Sequence, residues 1–454
     1  MLEEALSISI KCEREFGKVQ FNSLSIEKDD LFIALKGQRD GHEFVRDALE
    51  RGAGGAIVSR SIENVDPSKL IIVEDSFAAL EKLARYKRET SGAKFIAVTG
   101  SVGKTTTKEA LHTMLSAYGE VSANRGTFNN YLGVLLTLAS ISRTAEYAII
   151  EAGMNAKGEL AELSKLIRPD IGVIVSVSEG HIEFFNSVEE ICDAKCEIFL
   201  GMNAERGIAI INQDISTYQR CLDNLKVAAI RNIRIFGEGE NTDVRIISAD
   251  RLENNSLRAK YQIADEEIEV VINEVPLYFA VNFAAGFTVV KSLGLDLEPA
   301  ANVICSFASV AGRGKIIRVQ NNYKDYAIIC DYYNSNPQSL SSALQYLGEF
   351  EHENKIAILG DMGELGRFKY DLHHKTVEYI QNAGIKKLFL IGQIMPELKD
   401  KVGSEIEIIC AENAEELIKN LDKYLTGGEL ILIKGSRSMK LEKIAVYLGV
   451  KDAF

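Results

Sequence analysis

The stretch GSVGKTT at positions 100–106 combines small residues, a lysine and hydroxyl side chains in an order suited to holding phosphate groups. Glycines let backbone N–H groups converge on phosphate oxygens, a lysine can reach the terminal phosphates, and a threonine hydroxyl can ligate magnesium at a helix N-terminus. A nucleoside triphosphate is therefore the expected ligand. The residues assigned to this site are Gly100, Ser101, Val102, Gly103, Lys104, Thr105 and Thr106.

The match to the full phosphate-loop pattern GxxxxGK[ST] is incomplete, because Val98 stands where the first glycine belongs. The alternative interpretation is a glycine-containing turn between a strand and a helix that binds no ligand. The succession of strand, turn, Lys-Thr pair and helix favours the phosphate site.

The elements around this loop predict a parallel sheet covered by helices on both faces. The buried apolar run Phe95 to Val98 indicates a strand over 94–99, followed by a helix over 104–117. Further strands are expected over 147–152 and 171–177, each followed by a helix.

Polar residues come directly after these strands, at Glu151, Asn155 and His181. Ligands of open α/β sheets bind at the carboxyl ends of the strands, so these side chains should converge with the loop. The next helix is expected to begin with a capping box formed by Ser187 and Glu190, which places Lys195 two turns inside it.

The chain of 454 residues is too long for one ordinary core, and its pattern divides into three α/β units. Residues 1–91 form a small N-terminal domain. Residues 92–312 form a central parallel-sheet domain with an appended β-meander over 242–275. Residues 313–454 repeat the strand-helix rhythm as a Rossmann-like, doubly wound domain without a phosphate loop of its own.

The formal net charge of −13 argues against nucleic acid or an anionic membrane as partner, because both require a basic surface. No apolar run approaches membrane-spanning length and no secretion signal is recognisable, so we expect a cytoplasmic protein. The seven cysteines are scattered without a CxxC pair, and we expect reduced thiols that serve packing.

The assembled motifs resemble the Mur ligase family, the ATP-dependent amide-forming enzymes of peptidoglycan precursor synthesis. The resemblance covers nearly the whole chain in order. It rests on GSVGKTTTKE at 100–109, DYYNSNPQS at 331–339, GDMGELG at 360–366 followed by His373, and KGSRSMKLE at 434–442. Weaker support comes from ALKGQRDGHEF at 34–44, TFNN at 127–130, EAGMNAKGE at 151–159 and DAKCEIF at 193–199.

The resemblance implies an ATP-dependent ligase acting through an acyl phosphate, with a UDP-substrate-binding N-terminal domain, an ATP-binding central domain and a ligase C-terminal domain. YNSNP at 333–337 and GDMGELG resemble the branch that joins D-alanyl-D-alanine to UDP-N-acetylmuramoyl-tripeptide. The Asp-Asn-Pro-Arg motif of the diamino-acid-adding branch is absent from the sequence. The resemblance therefore implies D-alanyl-D-alanine and UDP-N-acetylmuramoyl-tripeptide as partners, and a monomer is expected.

By the same resemblance, Lys104 would hold the terminal phosphates, Thr105 and Glu151 would bind one Mg²⁺, and His181 would bind a second. Lys195 matches the position of a carbamylated lysine in several members, whose carbamate orients that second ion. A lysine cation beside a metal would repel it, so an anionic carbamate is physically reasonable. The alternative interpretation of His181 is a packed or surface histidine without a metal, and that of Lys195 is a surface lysine.

The resemblance also implies outer contacts to the nucleotide and contacts to the incoming dipeptide. Asn282 would lie at the adenine, Arg313 at the phosphates and Asp331 at the ribose. The residues expected near the dipeptide are Tyr333, Asn334 and Asn336. An Asn-rich turn that caps a helix beginning at Pro337 is an equal alternative.

Two departures from the family pattern bear on binding. Leu24 follows Ser23 where many members have Ser-Arg, which weakens any assignment of UDP contacts over 22–44. Tyr278-Phe279 replaces a His-Asn pair on the adenine side. The competing functions are a single-amino-acid-adding Mur ligase, a folate-polyglutamate-type ligase, a P-loop kinase or NTPase, and a non-catalytic relative that binds the muramyl nucleotide alone.

Overall fold

The computed structural model describes residues 2–8, 16–124, 126, 128–321 and 324–451, and it shows three α/β domains in chain order. Cys12, and Thr127 of the TFNN stretch, lie outside these residues. Each domain is built around its own sheet, of four, nine and six strands in turn. The α/β class and the three-sheet plan predicted from the sequence are confirmed.

The N-terminal sheet is wholly parallel, in the strand order β1-β2-β3-β4. Its last helix ends at Thr90, whose hydroxyl donates to the Tyr86 carbonyl (2.8 Å). The elements are α1 Leu2–Leu6, β1 Val19–Gln20, β2 Leu31–Ile33, α2 Val45–Glu50, β3 Gly55–Val58, β4 Leu70–Ile72 and α3 Ser76–Thr90.

The central domain contains the nine-stranded sheet and, among the described residues of the range 94–304, seven α-helices. The strands are β5 Lys94–Thr99, β6 Val121–Ala123, β7 Tyr147–Glu151, β8 Ile171–Ile174, β9 Ile208–Asn212, β10 Asn232–Gly237, β11 Val244–Arg251, β12 Ser256–Ile263 and β13 Glu266–Asn273. The helices in the described part of this range include α4 Lys104–Leu115, α5 Tyr131–Ala139, α6 Glu159–Ile167, α7 Val188–Cys196, α8 Tyr218–Val227, α9 Phe279–Ser292 and α10 Leu297–Ile304; a 3-10 turn follows α7 at Glu197–Phe199.

The central sheet places the phosphate-binding loop between two strand ends. Its order is β13-β12-β11-β10-β9-β8-β5-β7-β6, so β5 pairs in parallel with both β7 and β8. The chain visits one side of β5 through β6 and β7 and then crosses to β8. This reversal is the topological switch point at which open α/β sheets bind ligands.

The predicted β-meander is confirmed as β11, β12 and β13, which pair antiparallel. It does not form a separate sheet, because β11 pairs in parallel with β10 and continues the central sheet. Asn255 turns the chain between β11 and β12 with φ of 62°, a left-handed conformation that asparagine tolerates better than most residues.

The C-terminal sheet has the order β14-β15-β19-β16-β17-β18, parallel except for the edge strand β14. Its strands are β14 Lys315–Asn321, β15 Lys324–Cys330, β16 Lys355–Gly360, β17 Lys387–Ile391, β18 Glu407–Ala411 and β19 Glu429–Lys434. Its helices are α11 Pro337–Gly348, α12 Lys369–His374, α13 Val377–Asn382, α14 Lys399–Val402, α15 Ala414–Ile418 and α16 Glu442–Tyr447.

Two helical segments of the C-terminal domain are interrupted. Between α12 and α13, the Thr376 N–H (3.0 Å) and hydroxyl (2.6 Å) both donate to the His373 carbonyl. Helix α15 is followed by a 3-10 turn at Leu421–Lys423. Strand β8 ends at Ile174, three residues before its predicted end.

Buried apolar side chains fill both faces of the parallel strands, as the continuous apolar runs predicted. Phe95, Ile96, Ala97 and Val98 of β5 are all fully buried. Among the described residues, no helix combines the length and the apolar character needed to cross a bilayer.

Candidate active site

The phosphate-binding loop joins β5 to α4 through the left-handed residue Gly103, which has φ of 81° and precedes the first residue of the helix. A Cβ at Gly103 would lie 2.5 Å from Asn282 Nδ2, so both the backbone conformation and the close approach require glycine. Lys104 Nζ donates to the Gly100 carbonyl (2.6 Å) and stays over the loop. Burial lowers the pKa of Lys104, and the charge of Glu151 opposes this shift.

The loop is fixed by serines of the segment that follows β8. Ser176 Oγ accepts from the Val102 N–H (2.8 Å), and the Ser101 N–H donates to the Ser176 carbonyl (3.0 Å). Ser101 Oγ accepts from the Ser178 N–H (2.9 Å). These contacts fix the conformation of the loop before any ligand binds, and they engage the N–H groups of Ser101 and Val102.

Thr105 and Glu151 form an oxygen pair at the ends of β5 and β7. Thr105 Oγ1 donates to Glu151 Oε2 (2.9 Å), and Asn129 Nδ2 donates to Glu151 Oε1 (2.7 Å). Thr105 and Glu151 are both 1% exposed. Hydroxyl and carboxylate oxygens are the ligands that Mg²⁺ prefers, so the donor set fits that ion.

His181 ends the segment after β8 and faces the C-terminal domain. Its Nδ1 lies 2.7 Å from Glu364 Oε2, across the boundary between the two domains. His181 has φ of 64°, a left-handed conformation that costs a non-glycine residue about 1–2 kcal/mol. Its close contact with His181 lowers the pKa of Glu364 although burial opposes the shift. The carboxylate therefore remains charged at neutral pH.

Lys195 is almost completely buried, at 1% exposure, on α7. Burial lowers its pKa well below the ordinary value, and the neighbouring charge of Lys104 acts in the same direction. A neutral amine in this place is nucleophilic and can react with carbon dioxide. The expected capping box at the start of α7 forms only in part. Ser187 Oγ accepts from the Glu190 N–H, whereas the Glu190 carboxylate accepts from the Asn186 N–H (2.9 Å).

The three residues expected around the nucleotide line one cleft together with the loop. Asn282 donates to Thr107 Oγ1 (3.0 Å) and packs beneath Gly103. Arg313 lies 4.4 Å from the centre of the Tyr333 ring, in a cation–π contact.

Asp331 forms an ion pair with Lys434, a residue that was not among those predicted to contact the nucleotide. Lys434 Nζ donates to Asp331 Oδ2 (2.8 Å) and to the Asn334 carbonyl (3.1 Å). The side chains of Lys434 and Asp331 are 1% and 13% exposed. Burial raises the pKa of Asp331, and the positive charge of Lys434 opposes that shift.

The segment expected to contact the dipeptide lines the same cleft. Tyr333 makes cation–π contacts with two guanidinium groups, those of Arg313 and Arg437, the second at 5.6 Å from the ring centre. Asn334 is exposed to the cleft. Asn336 caps α11: its Oδ1 accepts from the Ser339 N–H (2.8 Å), and Ser339 Oγ accepts from the Asn336 N–H (3.0 Å).

The cleft between the central and C-terminal domains has a volume of about 830 Å³. Its walls include Lys104, Glu151, His181, Arg313 and Tyr333. Asn336 Nδ2 lies close enough to the central domain that a Cβ at Gly180 would approach it within 3.0 Å. The cleft therefore brings the phosphate-binding loop and the C-terminal Asn-rich segment to one place.

The two departures from the family pattern have different positions. Leu24 is 71% exposed on the N-terminal domain. Tyr278 lines the cleft just before α9, and Phe279 begins that helix as a buried residue that also reaches the cleft wall. Burial raises the pKa of Tyr278 well above its ordinary value, so its hydroxyl stays protonated.

Sequence reasoning missed several residues that build this site. Asn129 orients Glu151, and its only signal was its place in the TFNN stretch. Ser176 and Ser178 alternate directly after a strand, a pattern that could have indicated contacts to the neighbouring loop. His373 is fully buried: its Nε2 accepts from the Met362 N–H (3.0 Å), and its Nδ1 lies 2.6 Å from the Lys369 carbonyl. It therefore positions the GDMGELG turn.

Comparison with known proteins agrees with this architecture. Residues 98–290 match the Mur ligase middle domain, and residues 312–437 match the Mur ligase glutamate ligase domain. A Rickettsia prowazekii protein named UDP-N-acetylmuramoyl-tripeptide--D-alanyl-D-alanine ligase is 44% identical over 446 residues, which cover 98% of each chain.

Solved structures show the same arrangement of domains. The crystal structure of MurF from Acinetobacter baumannii superposes with a TM-score of 0.80 at 27% identity, covering 98% of this chain and 97% of that one. The MurF ligase of Thermotoga maritima, solved in complex with ADP, superposes with a TM-score of 0.75 at 28% identity, covering 95% and 97%.

Proposed function

The chain belongs to the Mur ligase family, and we infer that it joins D-alanyl-D-alanine to UDP-N-acetylmuramoyl-tripeptide in peptidoglycan precursor synthesis. It is an ATP-dependent ligase that forms a C–N bond. A carboxylate is a poor electrophile, so it needs activation before an amine can attack. The γ-phosphate of ATP supplies this activation by converting the tripeptide carboxylate to an acyl phosphate.

One geometric observation carries this function: the phosphate-binding loop and the Tyr333–Asn336 segment line the same cleft. A ligase must bring the phosphorylated carboxylate and the incoming amine together. A nucleotide-hydrolysing enzyme with a separate regulatory domain has no need of such an arrangement. Closure of the cleft around bound substrates would protect an acyl phosphate from hydrolysis.

The loop positions the phosphates and neutralises their charge. The positive end of α4 begins at Lys104, directly after the loop, and the Lys104 side chain lies over the loop within reach of a terminal phosphate. Binding of the nucleotide would draw Lys104 Nζ from the Gly100 carbonyl to the phosphate oxygens. Gly100, Ser101, Val102, Gly103 and Thr106 supply the loop backbone and the first helical turn.

Thr105 and Glu151 would hold one Mg²⁺, since they already share a hydrogen bond between buried oxygens. When bound, this ion neutralises phosphate charge and polarises the phosphoryl oxygen. Asn129 fixes the orientation of the Glu151 carboxylate by donating to its second oxygen. This support keeps one lone pair of each oxygen directed at the site.

His181 and Lys195 would serve a second Mg²⁺. Burial favours the neutral amine of Lys195, which can add to carbon dioxide to give a carbamate and release one proton. The carbamate would supply the anionic oxygens that a lysine side chain lacks. His181 already contacts the C-terminal domain through Glu364, so it links this site to the position of that domain.

The remaining assignments, to the nucleotide and to the dipeptide, concern residues that line the cleft. We assign Asn282 and Asp331 to the adenosine of ATP and Arg313 to its phosphates, and all three residues line the cleft together with the loop. We assign Tyr333 and Asn334, which line the same cleft, to the dipeptide. Asn336 acts on this wall through its helix cap, which orders the segment, while its Nδ2 remains directed toward Gly180.

We assign binding of the UDP moiety to residues 1–91, ATP binding to 92–312 and dipeptide binding to 313–454. We propose a monomer as the active form. The six described cysteines are free thiols, in keeping with a reducing cytoplasm.

The test is a comparison of amine acceptors with Mg-ATP and UDP-N-acetylmuramoyl-tripeptide present. Phosphate release and a product heavier by one dipeptide are expected with D-alanyl-D-alanine alone. Single amino acids, among them diamino acids and glutamate, serve as matched acceptors. Phosphate release with one of these and none with the dipeptide would contradict the assigned substrate.

A further inference from the structure

Three cysteine side chains that the ligase chemistry does not use meet in the interior of the central domain. Cys192 and Cys196 lie on α7, and Cys221 lies on α8. The sulfur atoms all lie within 4.8 Å of one another, and Cys192 Sγ is 3.3 Å from Cys221 Sγ. All three side chains are buried, with exposures of 0%, 4% and 0%.

The positions of these thiols are set by two helices that are fastened together. Residues four apart lie on one face of a helix, which brings Cys192 and Cys196 to the same side of α7. Arg220 of α8 forms an ion pair with Asp193 of α7 (2.6 Å), and Asn224 Nδ2 donates to the same carboxylate (2.9 Å). The third sulfur is therefore held against the first two.

The distances between the sulfur atoms match those of a metal thiolate site. An ion with three sulfur ligands at about 2.3 Å in one plane separates them by roughly 4.0 Å. The observed spacing, from 3.3 Å to within 4.8 Å, brackets that value. Small rotations about the Cα–Cβ bonds are enough to bring all three sulfurs to one ion.

The surroundings of the cluster favour an ion that accepts three soft ligands. In the part of the chain that the structure describes, no histidine, aspartate, glutamate or fourth cysteine joins the group. The Thr217 carbonyl lies 3.8 Å from Cys192 Sγ and is a hard oxygen. Soft thiolates bind Cu(I), Zn²⁺ and iron–sulfur clusters. Structural Zn²⁺ sites and iron–sulfur clusters take four protein ligands, whereas Cu(I) is stable with three thiolates.

We propose that Cys192, Cys196 and Cys221 form a buried binding site for one Cu(I) ion. Each thiol that ligates the ion releases its proton, and the oxidation state of the metal does not change. The site is distinct from the proposed magnesium positions, which are built from oxygen and nitrogen ligands. The sequence predicted packing thiols here, because only Cys192 and Cys196 are close along the chain.

The test is copper transfer to the full-length protein, which is first reduced with a phosphine and kept free of oxygen. Cu(I) is presented as its coloured bicinchoninate complex, and the loss of colour measures uptake. One equivalent per chain is expected. Cys221→Ser and Cys192→Ser should weaken uptake beyond the roughly 10- to 100-fold that loss of a supporting group already costs.

The matched control is the double variant Cys305→Ser/Cys410→Ser, which removes exposed thiols and should bind copper as the parent does. Ligase activity of Cys221→Ser, and of Cys221→Ala as a second variant, shows whether the fold is retained. Copper left with the chelator, or uptake lost in the control, would overturn the site. Uptake of one Zn²⁺ without Cu(I) would overturn the three-coordinate assignment.

Discussion

Thr105 Oγ1 donates a hydrogen bond of 2.9 Å to Glu151 Oε2, although the two residues are 46 positions apart. Thr105 is the second residue of helix α4, which follows β5, and Glu151 ends the neighbouring strand β7. The parallel pairing of β5 with β7 is what brings them together. Two buried oxygen ligands thus stand beside the phosphate-binding loop.

Glu151→Gln tests this pair by removing the charge and keeping the shape. We expect kcat to fall roughly 100-fold or more, because an amide binds Mg²⁺ weakly where charge must be neutralised. The Mg²⁺ concentration for half-maximal rate should rise as well. Thr105→Ser retains the hydroxyl and is the matched control. A Glu151→Gln enzyme with the parent's rate and Mg²⁺ dependence would remove Glu151 from the site.

Lys195→Ala tests the carbamate. The variant should lose activity, and short-chain carboxylic acids such as formate or acetate should restore part of it by supplying the missing anion. Rates are measured with and without the acid at fixed ionic strength. Lys195→Arg fills the space but cannot form a carbamate. This variant should therefore stay inactive when formate or acetate is added. Full activity of the alanine variant would exclude Lys195 from the reaction.

Lys434→Met tests the buried ion pair with Asp331. Its loss leaves a carboxylate without a partner in a site where Asp331 is 13% exposed, so the free energy of unfolding should fall by about 3 kcal/mol. Chemical denaturation measures this change. Lys94→Met removes an exposed pair with Asp170 at 3.9 Å and should cost less than about 1 kcal/mol. Equal losses in the two variants would show that burial of the Lys434 pair has no special effect.

Glu364→Gln tests the contact between the central and C-terminal domains. The contact with His181 lowers the pKa of Glu364, so the stabilisation is fully present above the ordinary pKa of the carboxyl group. It is lost as the pH falls through the lowered folded-state value. The difference in unfolding free energy between parent and variant should be constant near neutral pH and shrink in acid. A difference that grows on acidification would contradict this direction.

The local elements around the loop were predictable because short-range patterns determine them. The run Phe95 to Val98 is apolar without interruption, as expected for a strand buried on both faces, and the strand occupies 94–99 as predicted. The helix start at Lys104 follows a glycine that adopts a left-handed conformation. Helix α6, Glu159–Ile167, follows β7 as predicted.

Contacts between distant parts of the chain were not predictable in this way. His181 meets Glu364 only because two separately folded domains lie against each other. Asn336 could equally have contacted a ligand or capped a helix, and its cap became evident only from the position of Ser339. Cys221 joins Cys192 because α8 packs on α7, which neither helix specifies alone.

The most direct measurement of the central claim follows the carboxylate oxygen of the tripeptide substrate. UDP-N-acetylmuramoyl-tripeptide is labelled with oxygen-18 in the carboxyl group that accepts the dipeptide, and the phosphate released with D-alanyl-D-alanine and Mg-ATP is analysed by mass. An acyl phosphate requires that one labelled oxygen leave with each phosphate. We expect labelled phosphate and amide product in equal amounts. Unlabelled phosphate would show that the loop serves nucleotide hydrolysis and not activation of the carboxylate.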